Sequence, residues 1–162
     1  KSFGGSGYDV ACAQTDSPII YKLENEIPHI KAVDFDPSFK ENIHFVYLNK
    51  KQSSKSAIST YLAHQSKSGK IIPKINTITY DAIDCTEGKD FALLMERHEV
   101  LMSDILEAET VKESHFSDFS GVIKSLGAWG GDFAMVISRH NPKEYFAEKG
   151  FHTVLTYEEM VL

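Results

Sequence analysis

An α+β fold, a ferredoxin-like antiparallel sheet with helices on one face, is what this sequence predicts, and three observations carry it. From residue 43 onward the elements read strand, several helices, strand, strand, helix, strand, which is the order of that sandwich. Two apolar runs, 121–126 and 133–138, flank a glycine-rich turn, Gly127-Ala-Trp-Gly-Gly-Asp132, and so read as a strand pair. The composition, 42% hydrophobic and 25% charged over 162 residues, belongs to a globular chain long enough to bury a core.

Each element has its local reason. Tyr8 to Ala13 reads as a short helix, its start marked by Ser6 and Gly7 and its first turn carrying Asp9, whose charge complements the helix dipole. Asp16-Ser17-Pro18 breaks it. Residues 18–23 and 29–35 are β-branched and aromatic and read as a strand pair across the polar Glu24-Asn25-Glu26. Asp36-Pro37-Ser38 ends the second. Ile43 to Leu48 is the strongest strand pattern in the chain, and a polar connection leads from it into a helix of about 55–66, with Ile58, Tyr61, Leu62 and Gln65 on one side. A helix of about 71–85 follows on the stripe Ile75, Ile78, Ala82. Beyond Gly88, a helix of about 89–107 carries Phe91, Leu94, Met95, His98, Leu101, Met102 and Ile105. The polar segment 109–118 has no clear period. Asn141 as N-cap and Pro142 at the first helical position open a helix that stops at Gly150, and 153–157 is a last strand.

Several function classes are excluded or disfavoured. No apolar run approaches the roughly 20 residues that span a bilayer, so a membrane partner is not expected. The net charge of −6, with Arg97 and Arg139 as the two arginines, argues against nucleic acid, whose phosphates and base edges draw on Arg. Cys12 and Cys85 form no CxxC pair, which fits a reducing cytoplasm. The seven histidines show no metal-ligand spacing, so no metal site is expected within the chain. The sequence opens on Lys1 rather than Met, already inside a glycine-rich loop, and reads like a chain cut in the middle.

Two glycine-rich loops stand out, Gly4-Gly5-Ser6-Gly7-Tyr8-Asp9 and Gly127 to Asp132. A backbone that approaches phosphate closely, or turns with positive φ, has no room for a Cβ. Neither loop is a GxxxxGK[ST] or a GxGxxG opening a parallel unit, and the second taken alone reads as a hairpin turn sooner than as a ligand loop. Asn49 to Lys55 is a charged, Ser-rich strand-to-helix turn of the kind that attracts anions, or a solvated loop with Ser54 as N-cap.

Together the two loops resemble the second half of a GHMP kinase, the family of mevalonate, phosphomevalonate, galacto- and homoserine kinases. The family's third motif is a lysine-bearing strand, a Gly-Ala-Gly-Gly-Gly-type loop and an apolar strand, matched here at Lys124, Gly127, Ala128, Gly130 and Gly131. The match departs at Trp129, where the family usually has glycine. Gly7-Tyr-Asp-Val-Ala11 looks like the stretch that carries the catalytic aspartate, and resembles a bacterial subgroup marked by Gly-Tyr-Asp-Ile-Ala.

The resemblance implies that residues 1–40 are the tail of the kinase's N-terminal domain and 41–162 its C-terminal domain. It implies that Asp9 orients the acceptor hydroxyl. Ser6, Gly7, Tyr8, Ser54 and the 127–131 loop would contact substrate or phosphate, and Lys124 would be either a phosphate-facing charge or a solvated strand lysine. The family's ATP-phosphate motif and its Mg²⁺ ligands lie upstream, and nothing in this sequence matches the ATP motif. The expected function is therefore part of a cytoplasmic kinase using ATP and Mg²⁺ on a mevalonate- or phosphomevalonate-like small molecule. Its partner would be the missing N-terminal half, and the chain alone would be inactive. Two alternatives stay open: a non-catalytic ferredoxin-like ligand-binding or regulatory module, and an inactive member of the same family.

Overall fold

The computed structural model describes residues 7–50, 54–63, 65–127, 129 and 131–161, with the backbone alone at 54–57, 60 and 65–68. The chain divides into two compact units, one ending at Asp36 and one running from Pro37 to Val161.

The first unit holds helix α1 (Tyr8–Ala13) and the antiparallel strands β1 (Ile19–Glu24) and β2 (Ile27–Ala32). Gly7 is the N-cap at φ 80°, a left-handed conformation natural to glycine, and its carbonyl accepts the Ala11 N–H at 3.1 Å. Asn25 and Glu26 both have positive φ, 50° and 64°, the geometry of a two-residue hairpin turn whose twist matches that of the strands. That tight turn makes Ile27 the partner of Glu24, so the second strand starts at 27 and not at the expected 29. Every residue of β2 is exposed.

The second unit runs β3 (Ile43–Tyr47), α2 (Ser54–Ala63), α3 (Gln65–Ile83), α4 (Gly88–Leu106), α5 (Val111–His115), β4 (Val122–Ser125), β5 (Phe133–Ile137), α6 (Lys143–Glu148), β6 (Val154–Thr156) and α7 (Tyr157–Met160). A short 3-10 turn, Lys40–Asn42, precedes β3. The sheet order is β4-β5-β3-β6 with each neighbour antiparallel, so β3 and β4 run parallel with β5 between them. This is the ferredoxin-like α+β arrangement. Ile43 to Val46 are all buried, so β3 is covered on both faces. On one face Val46, Ala134, Val136 and Ile123 pack with Val111, Phe116, Phe119 and Phe146. Phe116 meets Phe146 edge-on at 4.9 Å, a favoured aromatic geometry. The alternate residues Ile43, Phe45 and Ile137 are buried as well.

Four boundaries correct the sequence expectation. Helix α3 starts at Gln65 rather than 71, with Pro73 inside it; lacking an N–H, Pro73 leaves the Gly69 carbonyl without its helical donor, and the helix continues regardless. Thr110-Val-Lys-Glu113 is a complete capping box, so the unassigned polar segment contains α5. Thr156-Tyr-Glu-Glu159 is another, which turns Tyr157 from the end of a strand into the start of α7. In α6 the N-cap is Pro142; Asn141 still caps from one residue earlier, its Oδ1 accepting the Lys143 N–H at 3.0 Å. Among the described residues no helix is long and apolar enough to cross a membrane.

Candidate functional site

The glycine-rich loop is the connection between β4 and β5, which pair antiparallel from Val122↔Ile137 to Ser125↔Ala134. Leu126 N–H donates to the Phe133 carbonyl at 3.3 Å and closes the hairpin. The far end of the loop is tied to the exit of β3. The Asp132 N–H donates to the Lys50 carbonyl at 2.6 Å, and the Leu48 N–H donates to the Asp132 carbonyl at 2.7 Å. The fold thereby brings Asp132 beside Lys50.

The loop's backbone follows a glycine-like path. Gly127, Trp129 and Asp132 have φ of 59°, 59° and 51°. For Trp and Asp that left-handed conformation costs on the order of 1 kcal/mol each, and at Asp132 the hydrogen bonds with Lys50 and Leu48 hold it. Trp129, which stands where the GHMP loop usually has glycine, keeps the backbone conformation that glycine favours. A Cβ at Gly127 would meet nothing within 4 Å, so the space above it is open.

Beneath the loop lies a charged cluster. Glu99 of α4 is 2% exposed. Its Oε1 accepts the Ser125 hydroxyl at 2.6 Å and its Oε2 accepts the Ser125 N–H at 3.0 Å. Lys124 Nζ sits 3.9 Å from Glu99 Oε2 and donates to the Ser125 carbonyl at 2.8 Å. Burial pushes the Glu99 carboxyl up, against the pull of the Ser125 hydroxyl and the Lys124 charge. Burial also brings the Lys124 ammonium down, against the pull of Glu99. His98 Nδ1 is buried with no hydrogen-bond partner among the described residues, and burial together with Lys124 brings the imidazole down to about 4.

The remaining sequence candidates fall elsewhere. Asp9 lies in the first turn of α1, exposed, next to the half-exposed Tyr8 and the N-cap Gly7, all within the first unit. Ser54 is the first residue of α2. Gly131 is buried in the loop. Ser6, Ala128 and Gly130 lie outside the described residues. Sequence reading missed Glu99 and Ser125. The signal for Glu99 was its place four residues after Met95 on the apolar stripe of α4, where a solvent-facing charge does not belong. Ser125 carried none.

No protein-family model matches the sequence, and no curated protein matches it. Among solved structures, the chain is similar to the L. major mevalonate kinase in complex with R-mevalonate, with a TM-score of 0.64 at 15% identity. That match covers 92% of this chain and 48% of the kinase. The chain has a mevalonate-kinase-like fold. A second match, the Lin0012 protein from Listeria innocua, has a TM-score of 0.54 at 15% identity and covers 75% of this chain and 38% of that one. The chain thus spans about half the length of the mevalonate kinase. Its α+β architecture is consistent with the C-terminal domain of a GHMP kinase, and within it the loop with the third-motif residues is the β4–β5 turn.

Proposed function

We propose that the chain is part of an ATP-dependent GHMP-type kinase that transfers the γ-phosphoryl group to a mevalonate- or phosphomevalonate-like acceptor in the cytoplasm. One observation carries it: a chain with a mevalonate-kinase-like fold has the sequence Lys124, Gly127, Ala128, Gly130 and Gly131 at its β4–β5 connection, where Gly127 and Trp129 have a left-handed backbone. In this reading residues 1–40 belong to the N-terminal domain and 41–162 form the C-terminal domain. The ATP motif is supplied by the upstream half of the same protein.

Phosphoryl transfer is mostly positioning and charge neutralisation. The loop's backbone N–H groups stabilise phosphate oxygens, with Lys124 adding positive charge at the loop's root. Ser54 at the start of α2, Gly7 and Tyr8 at the start of α1, and Ser6 contact substrate. Asp9 orients the acceptor hydroxyl and takes its proton. ATP supplies the phosphoryl group when bound. In this reading the Mg²⁺ ligands, like the ATP motif, belong to the upstream half of the same protein.

The test is Asp9→Asn in the full-length protein, assayed by coupled ADP release with mevalonate-like acceptors. Turnover is expected to fall about 10²-fold or more, because the charge that steers the proton is gone. The thermal midpoint should move by only a few degrees, since a charge at a helix N-terminus contributes ~0.3–1 kcal/mol. Near-normal turnover in the mutant sinks the role of Asp9. A wild type that releases no ADP with any such acceptor leaves the non-catalytic ligand-binding module as the better reading.

A further inference from the structure

Glu99 is a costly residue to place where it is. A carboxylate taken out of water must be compensated by hydrogen bonds and charge, and Glu99, at 2% exposed, has both. The compensation is concentrated on one neighbour. Both carboxylate oxygens are used by Ser125, one by its hydroxyl at 2.6 Å and the other by its backbone N–H at 3.0 Å. Ser125 is the last residue of β4, two before Gly127. Lys124 closes the cluster from the adjacent position, 3.9 Å from Glu99 and donating to the Ser125 carbonyl. Every polar main-chain group of Ser125 is therefore held by a charged side chain. β4 is an edge strand with a neighbour on one side, so its end would otherwise be the least restrained point at the loop's root.

We propose that Glu99 is the positioning residue of the glycine-rich loop: a two-oxygen clamp on Ser125 that fixes the entrance of the loop, with Lys124 held as its counter-charge. The far end is fixed independently by the hydrogen bonds of Asp132 to Leu48 and Lys50. Fixing both ends of a loop lowers the cost of ordering it on binding, and preorganisation is what stabilisation of developing charge requires. The clamp itself rests on geometry alone; its consequence for phosphoryl transfer rests on the proposed kinase function.

The experiment has two arms. In this chain, amide hydrogen exchange is compared between wild type and Glu99→Gln at Ser125, Leu126 and Gly127, with Val46 and Val136 in the same sheet reporting global opening. The clamp requires at least tenfold faster exchange at 125–127 relative to those core amides. Should Glu99→Gln fail to fold, Ser125→Ala, which removes the hydroxyl donor and keeps the Glu99–Lys124 pair, is expected to show the same local loosening, and Ser125→Thr to restore it. Equal acceleration at all sites, or none, overturns the clamp.

In the full-length protein, Glu99→Gln is expected to lower kcat at least tenfold while the acceptor KM stays within about twofold, again with Ser125→Thr near wild type and Ser125→Ala reduced. A wild type that transfers phosphate alongside an equally active Glu99→Gln overturns the positioning role and leaves the kinase standing. A wild type without transfer overturns the kinase reading, and the exchange arm still decides the clamp.

Discussion

At a pH where an exposed imidazole would be half charged, His98 stays neutral, because burial and the nearby Lys124 bring it down to about 4 from 6.5. The sign follows from the linkage of protons to folding. Between pH 6.5 and about 4 the unfolded chain binds a proton at His98 that the folded chain refuses, so stability falls as pH drops through that window. One proton corresponds to at most about 1.4 kcal/mol per pH unit, less for a ring that is partly exposed. Glu99 acts in the opposite sense: its raised carboxyl holds a proton in the folded state above 4.5, so acidification there favours the fold. An NMR titration of the His98 ring should give a midpoint near 4, and His98→Gln should flatten the acid limb of the stability curve; a midpoint near 6.5 would mean that water reaches the ring. The sequence showed His98 on an apolar stripe and Lys124 before the loop. It held a signal for Glu99 in its place on the apolar stripe of α4 but none for its partner, because Ser125 comes from a strand 26 positions further on.

Strands were the most legible elements and helix ends the least, for a physical reason. The β-branched and aromatic runs at 43–48, 121–126 and 133–138 have no good alternative conformation, whereas a helix end is decided by side chains that satisfy a few backbone groups. Thr110 is the clearest case: it is buried, its Oγ1 accepts the Glu113 N–H at 3.1 Å, and its own N–H donates to Glu113 Oε2 at 2.9 Å. The S/T-x-x-E pattern was present in the sequence, but so short a helix has almost no period to announce it. Thr110→Ala should cost about 1 kcal/mol in chemical denaturation and Thr110→Ser should recover most of it. A loss within error would mean that Val111 and Phe116 hold the segment by packing alone. The start of α3 at Gln65 was equally hard to read, since Pro73 sits in its ninth position, where proline is disfavoured.

For the whole molecule, the order of elements was readable and the order of strands in the sheet was not, since β4-β5-β3-β6 depends on pairings between residues far apart in sequence. The division at Asp36 and Pro37 has a testable consequence. All residues of the main apolar cluster lie between Val46 and Val154, so a chain starting at Pro37 should keep its sheet and a cooperative melt within a few degrees of the parent. Loss of cooperativity on that truncation would mean that the first unit supports the second. The hairpin is in the reverse position, since two strands alone are marginal in water. It exposes Ile27 and Ile30 at 60% and 49%, and among the described residues β1 and β2 pair only with each other. An open strand edge invites intermolecular pairing into aggregates. Pro28 stands in β2 directly opposite Leu23, and it has no N–H to lend to an incoming strand; His29 and Lys31 beside it are exposed and polar. The proline and its polar neighbours therefore stand where gatekeepers against such pairing belong, along β2 rather than in the core.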